Sequence, residues 1–204
     1  RYSDYTIREY ICNFIMSKLE TNTIDTVSGT TNLVIGSTNT STITMPSGAT
    51  TGQNYPSFNV SRSVNQNLTD NVATKVQLDN VTLDTDSAYD NSTNYRFTIP
   101  SGKSGKYFIV ARCTMQGLNS AAKINIANTL IYKNGSAIAS GYINAGGTAY
   151  FDYAFGVASV IVSLSAGDYI EMYQHCDTNA VTPTVRGDDF FTGVTNMQGY
   201  RIGS

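Results

Sequence analysis

The chain has 204 residues, with Lys+Arg 13 against Asp+Glu 15 and a formal net charge of -2. Only 14% of residues are charged, so there is no basic footprint for a nucleic-acid partner. No run approaches the ~18 apolar residues of a membrane span. Thr, Ser, Asn and Gly are abundant, the composition of a β protein on a secreted or particle surface.

The first element spans residues 1–19. Ile7, Ile11, Phe14, Ile15 and Leu19 recur at spacings of three and four, which predicts a helix with one apolar face. Such a stripe reads as an anchor, buried against other structural proteins or sister copies. A leader ahead of Met16 is the reading that stays open beside it.

Residues 20–54 change character. Three β patches, Thr23–Val27, Leu33–Ile35 and Ser41–Met45, alternate with Gly, Ser, Thr and Asn turns. A strand with so few apolar residues cannot bury a core alone. Three chains side by side can, with Ile24, Leu33, Ile35 and Ile43 turned to a shared axis. The expectation is a short interwoven β shaft, closed by a linker over 49–54.

Residues 55–204 read as an all-β head. Strands are expected near 57–61, 74–78, 81–83, 95–99, 106–115, 123–132, 137–143, 148–164, 168–176 and 190–202. Gly-bearing turns such as Asn134-Gly135 separate them, and many short strands with such turns predict a sandwich. The runs 106–115 and 148–164 are apolar at both parities. A lone sandwich strand should alternate, so a second buried face is expected, with Tyr107, Ile109, Phe151, Tyr153 and Phe155 contacting sister subunits as well as the core.

Catalytic chemistry finds little support. His175 is the single histidine, and Cys176 points to the opposite face of its strand. No phosphate loop, zinc spacing or catalytic carboxylate pair stands out, so the reading is of a non-enzyme without a cofactor. Asp84, Asp86 and Asp90 share one loop and are weak calcium candidates, since clustered hard oxygens suit that ion; no other metal site is read. Cys12, Cys113 and Cys176 fit no disulfide framework and read as buried small hydrophobes. A bridge between Cys113 and Cys176 stays open if their strands are neighbours.

Several pieces of the head together resemble a known superfamily. They are Tyr89-Asp90-Asn91, Tyr95-Arg96-Phe97 with Pro100, Gly105 with Tyr107-Phe108, Lys133-Asn134-Gly135, Leu164 with Gly167-Asp168, and Phe190-Phe191 with Gly193. This ordered series resembles the jelly-roll head of the complement q-subcomponent and tumour-necrosis-factor superfamily. The resemblance implies a homotrimeric jelly-roll binding module whose two doubly apolar strands line the threefold contact. Residues 16–50 are similar to the amino-terminal segment of bacteriophage fibre proteins. Together these imply a virion-surface fibre: anchor helix (1–19), shaft and linker (20–54) and head (55–204). The anchor would join other virion proteins, and the head would attach to a cell-surface glycan or protein receptor; a capsid decoration fibre and a secreted adhesin are the other readings. Loop residues Tyr89, Arg186 and Asp188 are the receptor-binding candidates, on the loops 84–94 and 179–189, with 119–121 beside them.

Overall fold

The structure is a computed structural model that describes residues 55–117, 124–146, 151–179, 182–187 and 194–203. The anchor residues Ile7, Ile11, Phe14, Ile15 and Leu19, the shaft residues Ile24, Leu33, Ile35 and Ile43, and Asp188 lie outside the described residues. So do Cys12 and the predicted loop 119–121. The described residues all belong to one compact unit, Gly52–Ser204.

Thirteen strands are seen among them. In chain order they are β1 (Ser57–Ser61), β2 (Gln66–Asn67), β3 (Thr74–Lys75), β4 (Asn80–Asp84), β5 (Tyr89–Asp90), β6 (Arg96–Thr98) and β7 (Gly105–Gly117). Then follow β8 (Ile124–Lys133), β9 (Ser136–Asn144), β10 (Tyr153–Leu164), β11 (Tyr169–Thr178), β12 (Pro183–Val185) and β13 (Asn196–Gly203). Every pairing is antiparallel, and the strands form two sheets. In the first, β4, β1, β13 and β7 lie side by side and β10 takes the other edge of β7. The short β12 and β2 continue beside the last residues of β7. The second runs β5–β6–β11–β8–β9, with β3 also against β11.

The long predicted strands match these elements within a few residues, except that the closing strand expected over 190–202 is seen from Asn196, residues 190–193 lying outside the described ones. The departures are local. The strand expected over 148–164 begins at Tyr153, after an isolated bridge between Ile124 and Phe151. The one expected over 74–78 pairs only at Thr74–Lys75, although Val76 and Leu78 still reach the core. β2, β5 and β12 have two or three residues each, too few for any alternation to register.

The core lies between the sheets. Phe58 of β1 stacks on Phe97 of β6 at 4.3 Å. Tyr107, Ile109, Ala111, Cys113 and Met115 of β7 face Ile170, Met172 and Cys176 of β11 and Ile124 and Ile131 of β8, all fully buried. Large apolar side chains of this kind contribute ~1.5–3 kcal/mol each on burial. Cys113 and Cys176 are free thiols on opposite sheets, so the bridge left open by the sequence does not form. Burial pushes both thiols up, Cys176 to about 12.

Two sequence motifs meet at one end of the sandwich. Asn134 and Gly135, at φ 50 and φ 80, make the two-residue turn between β8 and β9, the mirror-image type that matches strand twist. The Asn134 amide donates to Asp168 at 2.7 Å, and its carbonyl oxygen accepts from the Tyr169 N–H at 2.9 Å. Asp168 also takes the Ser165 N–H and pairs with Lys133 at 2.8 Å. The hydrogen bond from Lys133, then those from Ser165 and Asn134, hold its carboxyl at about 2. The Lys-Asn-Gly and Gly-Asp motifs are thus one hydrogen-bonded unit that fixes β8, β9 and β11 in register.

Candidate functional site: the outer face of the first sheet

β7 and β10 pair along their whole lengths, Gly105 with Leu164 through Gln116 with Tyr153. Both are apolar at both parities, but they use the parities differently. β7 sends its large residues inward and keeps Phe108, Val110, Arg112, Thr114 and Gln116 half-buried on the outside. β10 reverses the order of size. Ala154, Gly156 and Ala158 face inward, while Tyr153, Phe155, Val157 and Ile161 face outward at 57%, 51%, 45% and 63% exposure.

The reason lies in the packing behind β10. A side chain on Gly156 would meet Thr129 Oγ1 of β8 at 2.4 Å, and one on Gly141 of β9 would meet the Val157 carbonyl oxygen of β10 at 1.9 Å. The edges of the two sheets come so close there that only hydrogen or methyl fits. The bulk of β10 is therefore displaced outward. Its outer positions carry Tyr153, Phe155, Val157, Ser159, Ile161 and Ser163, with no charge among them. An open edge strand normally carries charge, bulges or Pro that discourage pairing and sticking. An apolar ridge without them marks a contact surface.

The same face continues across the sheet. Phe108 lies opposite Ile161 in register and packs edge-on against Tyr200 of β13, ring centroids 6.0 Å apart. Beyond Tyr200, β1 presents only Ser57 and Asn59 outward, and β4 then rises again with Leu83, 47% exposed. Short side chains between taller ones leave a hollow of about 340 Å³, bounded by Leu83, Asn59, Phe108, Val110, Gln198 and Tyr200.

The residues expected to make contacts between subunits divide cleanly. Tyr153 and Phe155 stand on the ridge, and Phe151 lies just before it, 38% exposed. Tyr107 and Ile109 do not belong with them: both are wholly inside the sandwich and offer no surface to another chain. The outward residues of that strand are the intervening Phe108 and Val110. Ile161, Tyr200 and Leu83 complete the face and were not singled out by the sequence. Parity was the missing signal, since a strand apolar at every position does not say which half points out.

The loop candidates separate as well. Thr85 bonds the Ser57 backbone, so the loop after β4 sits where the chain enters the sandwich. Tyr89 is 8% exposed, stacks on Phe58 and donates its hydroxyl to the Leu78 carbonyl at 3.2 Å. It is a core residue and no platform for a ligand; burial pushes its phenol well above the ordinary value. Arg186 lies at the opposite end, where its backbone N–H bonds the Thr114 carbonyl and its guanidinium donates to Gln116 Oε1. Gly187 N–H bonds Asn65 there, so the far end brings together Asn65, Gln116 and Arg186.

The calcium candidates are turn builders. Asp84 accepts the Tyr89 and Asp86 N–H groups, and Asp86 accepts from Thr85 and pairs with Lys103 at 3.6 Å. Asp90 accepts the Thr93, Ser92 and Asn94 N–H groups and the Asn94 amide, bonds that hold its carboxyl far below the usual range. Carboxylates bound this way shape a loop, and among the described residues no group of three or more His, Cys, Asp or Glu converges on a metal position. His175 reaches Asn71 Oδ1 at 2.9 Å on the outer face of the second sheet, while Cys176 points into the core.

No protein-family model matches the chain, and no curated protein sequence matches it. Solved structures do. The globular domain of zebrafish complement 1qA protein is similar at 12% identity and TM-score 0.50, over 72% of this chain and 97% of that one. Eiger TNF from S. frugiperda is similar at 7% identity and TM-score 0.52, over 74% and 92%. Murine APRIL is similar at 10% identity and TM-score 0.50, over 72% and 99%. At such identities the likeness shows the fold: an all-β sandwich of antiparallel sheets that matches a C1q/TNF jelly roll.

Proposed function

We propose that this protein is the homotrimeric, non-enzymatic recognition head of a virion fibre, carried on the segment before Tyr55 and turned toward the host surface. The observation that carries the trimer is the outer face of β10, with four large apolar side chains in water and no charged residue on the strand's own outward positions. Sister copies that cover this face would bury the ridge three times over. The structural likeness to C1q and TNF domains supports a binding head rather than an enzyme, and among the described residues the outer face of the first sheet offers a contact surface instead of a catalytic cleft. The similarity of residues 16–50 to bacteriophage fibre segments supports the placement on a particle. Receptor contact then falls to the end away from chain entry, where loops vary freely on a rigid sandwich and where Arg186 is held.

Two measurements test this reading. Native mass of the full chain at micromolar concentration is expected to give a trimer, and a monomer would remove the proposal. Particles carrying Arg186→Ala with Asn65→Ala are expected to adsorb to host cells less well, with Tyr89→Phe unchanged. Normal adsorption by the loop variant, with the head folded, would favour a capsid decoration role instead.

A further inference from the structure

A polar atom on the second sheet is left unanswered. Asn128 of β8 points to the outer face, between the inward Ala127 and Thr129, and its Oδ1 is buried yet accepts no hydrogen bond from any described residue. Buried acceptors almost always have a donor, so an exception calls for a physical reason. The partners of Asn128 in register are Tyr142 of β9 and His175 of β11, each about 5 Å away at Cβ on the same face. Tyr142 extends into solvent, 57% exposed, with its hydroxyl at the Asn144 amide 3.0 Å away. That leaves His175, the only histidine of the chain. Its Nε2 meets Asn71 Oδ1 at 2.9 Å, so the neutral ring carries its proton on Nε2 and keeps a bare lone pair at Nδ1. Asn71 is itself pinned to β11: its backbone N–H bonds the Cys176 carbonyl at 2.7 Å, and it holds φ 57, a conformation that asparagine tolerates.

We infer that His175 is a proton-operated clasp: the doubly protonated ring donates through Nε2 to Asn71 and through Nδ1 to Asn128, and so ties segment 69–73 across β11 to β8. The proton comes from solvent, and no bond between heavy atoms changes. The charges around the ring favour this form. On β11 the Asp177 carboxylate shares the face two residues on, and Asp70 of the segment itself accepts from Thr178 at the end of that strand. Lys75 is turned away to Glu171 and the Asn94 carbonyl. The outward neighbours on β8 and β9, Ile126, Leu130, Ser140, Tyr142 and Asn144, carry no charge. A proton that finds its second partner only in the folded head stabilises fully below the unfolded value, about 6.5 for an ordinary histidine, and that share is lost as pH rises through the folded one. The segment tied down lies at the end away from chain entry, because β2 just before it pairs with β12 beside the last residues of β7. Acid therefore tightens that end, whatever the head binds.

The test uses the full-length chain with isotope-labelled histidine, whose single ring gives one set of magnetic-resonance signals. At neutral pH the proton is expected on Nε2. In acid an Nδ1 proton is expected that exchanges with water more slowly than in the urea-unfolded chain. Asn128→Leu should lower the proton affinity of the ring by roughly threefold to tenfold, the weight of one hydrogen bond to a charged donor at a half-exposed site. Asn128→Asp should raise it. An unchanged ring titration in both folded variants overturns the clasp, and so does an Nδ1 proton that exchanges as fast as in the unfolded chain. A second measurement holds even where Asn128→Leu does not fold. Between about pH 7.5 and about pH 5.5, the range in which histidine changes charge, the denaturant midpoint of the unsubstituted chain should rise. His175→Gln keeps a donor for Asn71 but takes up no proton, so its midpoint should not follow. A midpoint that rises equally in His175→Gln, or does not rise in the unsubstituted chain, rejects the proposal.

Discussion

On the second sheet the rings of Tyr132 and Tyr173 stack at 4.1 Å, Arg96 lies 4.3 Å over Tyr169, and Lys75 pairs with Glu171 at 2.5 Å. Across the sandwich, β10 of the first sheet turns Phe155 and Ile161 to solvent. The two outer faces belong to sheets of similar size in one small head, yet one is completed by its own chain and the other is not. On the second sheet each of these charges or rings is answered by a neighbour within hydrogen-bond or stacking distance. Cation–ring and ring–ring contacts of this sort add about 0.5–1.5 kcal/mol each and need no other molecule. The first sheet keeps its gain in reserve, since its apolar area stabilises only when something covers it.

This contrast is open to direct attack. The largest effect is expected from Phe155→Asp with Ile161→Asp. Both side chains already face water in the single chain, so the head should fold, while the assembly loses two apolar contacts worth ~1.5–3 kcal/mol each in every subunit. For the proposed trimer, native mass should fall to that of a monomer with the circular dichroism of a β protein kept. A trimer that survives both charges would mean that the first sheet is an ordinary wet face.

A middle-sized effect is expected on the other side. Lys75→Met leaves the Glu171 carboxylate, 4% exposed, without its ion-pair partner. Loss of one partner of a largely buried pair costs about 1–3 kcal/mol, discounted here because Lys75 is 30% exposed. Denaturant unfolding should show that loss, and Lys75→Met with Glu171→Gln should recover much of it. The oligomeric state should not change in either variant. If assembly fails instead, the second sheet is not the self-sufficient face.

The smallest effect concerns acid. Asp168 sits at about 2 in the folded head against the ordinary 3.8. A carboxyl lowered by folding stabilises fully above its unfolded value, and that share is lost as pH falls from about 4 toward 2. Asp168→Asn should flatten this limb of the stability curve and cost on the order of 1 kcal/mol near neutrality. An unchanged acid limb would show that Asp168 does not govern it.

Much of this architecture was legible before any coordinates. The long strands announced themselves through length and Gly-bearing turns, and β11 through the alternation of Tyr169, Glu171, Tyr173 and His175 with Ile170, Met172, Gln174 and Cys176. The exposed apolar face was half legible. Excess apolarity in β7 and β10 pointed to a second covered surface, but Tyr107 and Phe108 are equally apolar in sequence and only register shows which one faces out. The hollow was not legible at all, because it depends on Ser57 and Asn59 lying between Leu83 and Tyr200, residues more than a hundred positions apart. Tyr89 misled for a related reason: it sits among Asp and Asn that do form an exposed turn, but its ring folds back over Phe58.

The lock between Asn134 and Asp168 bears on how the head ages. In a loose chain an Asn-Gly pair slowly loses ammonia, when the glycine nitrogen closes on the side-chain carbonyl carbon to form a cyclic imide. Here the Asn134 amide is given to Asp168 and its carbonyl oxygen to the Tyr169 N–H, so the side chain is held away from that ring closure. The turn that sets the register of β8 and β9 should outlast an unfolded peptide of the same sequence in storage, a difference readable in the peptide masses. A head built this way would keep its chemical integrity through long waiting without any protection beyond its own hydrogen bonds.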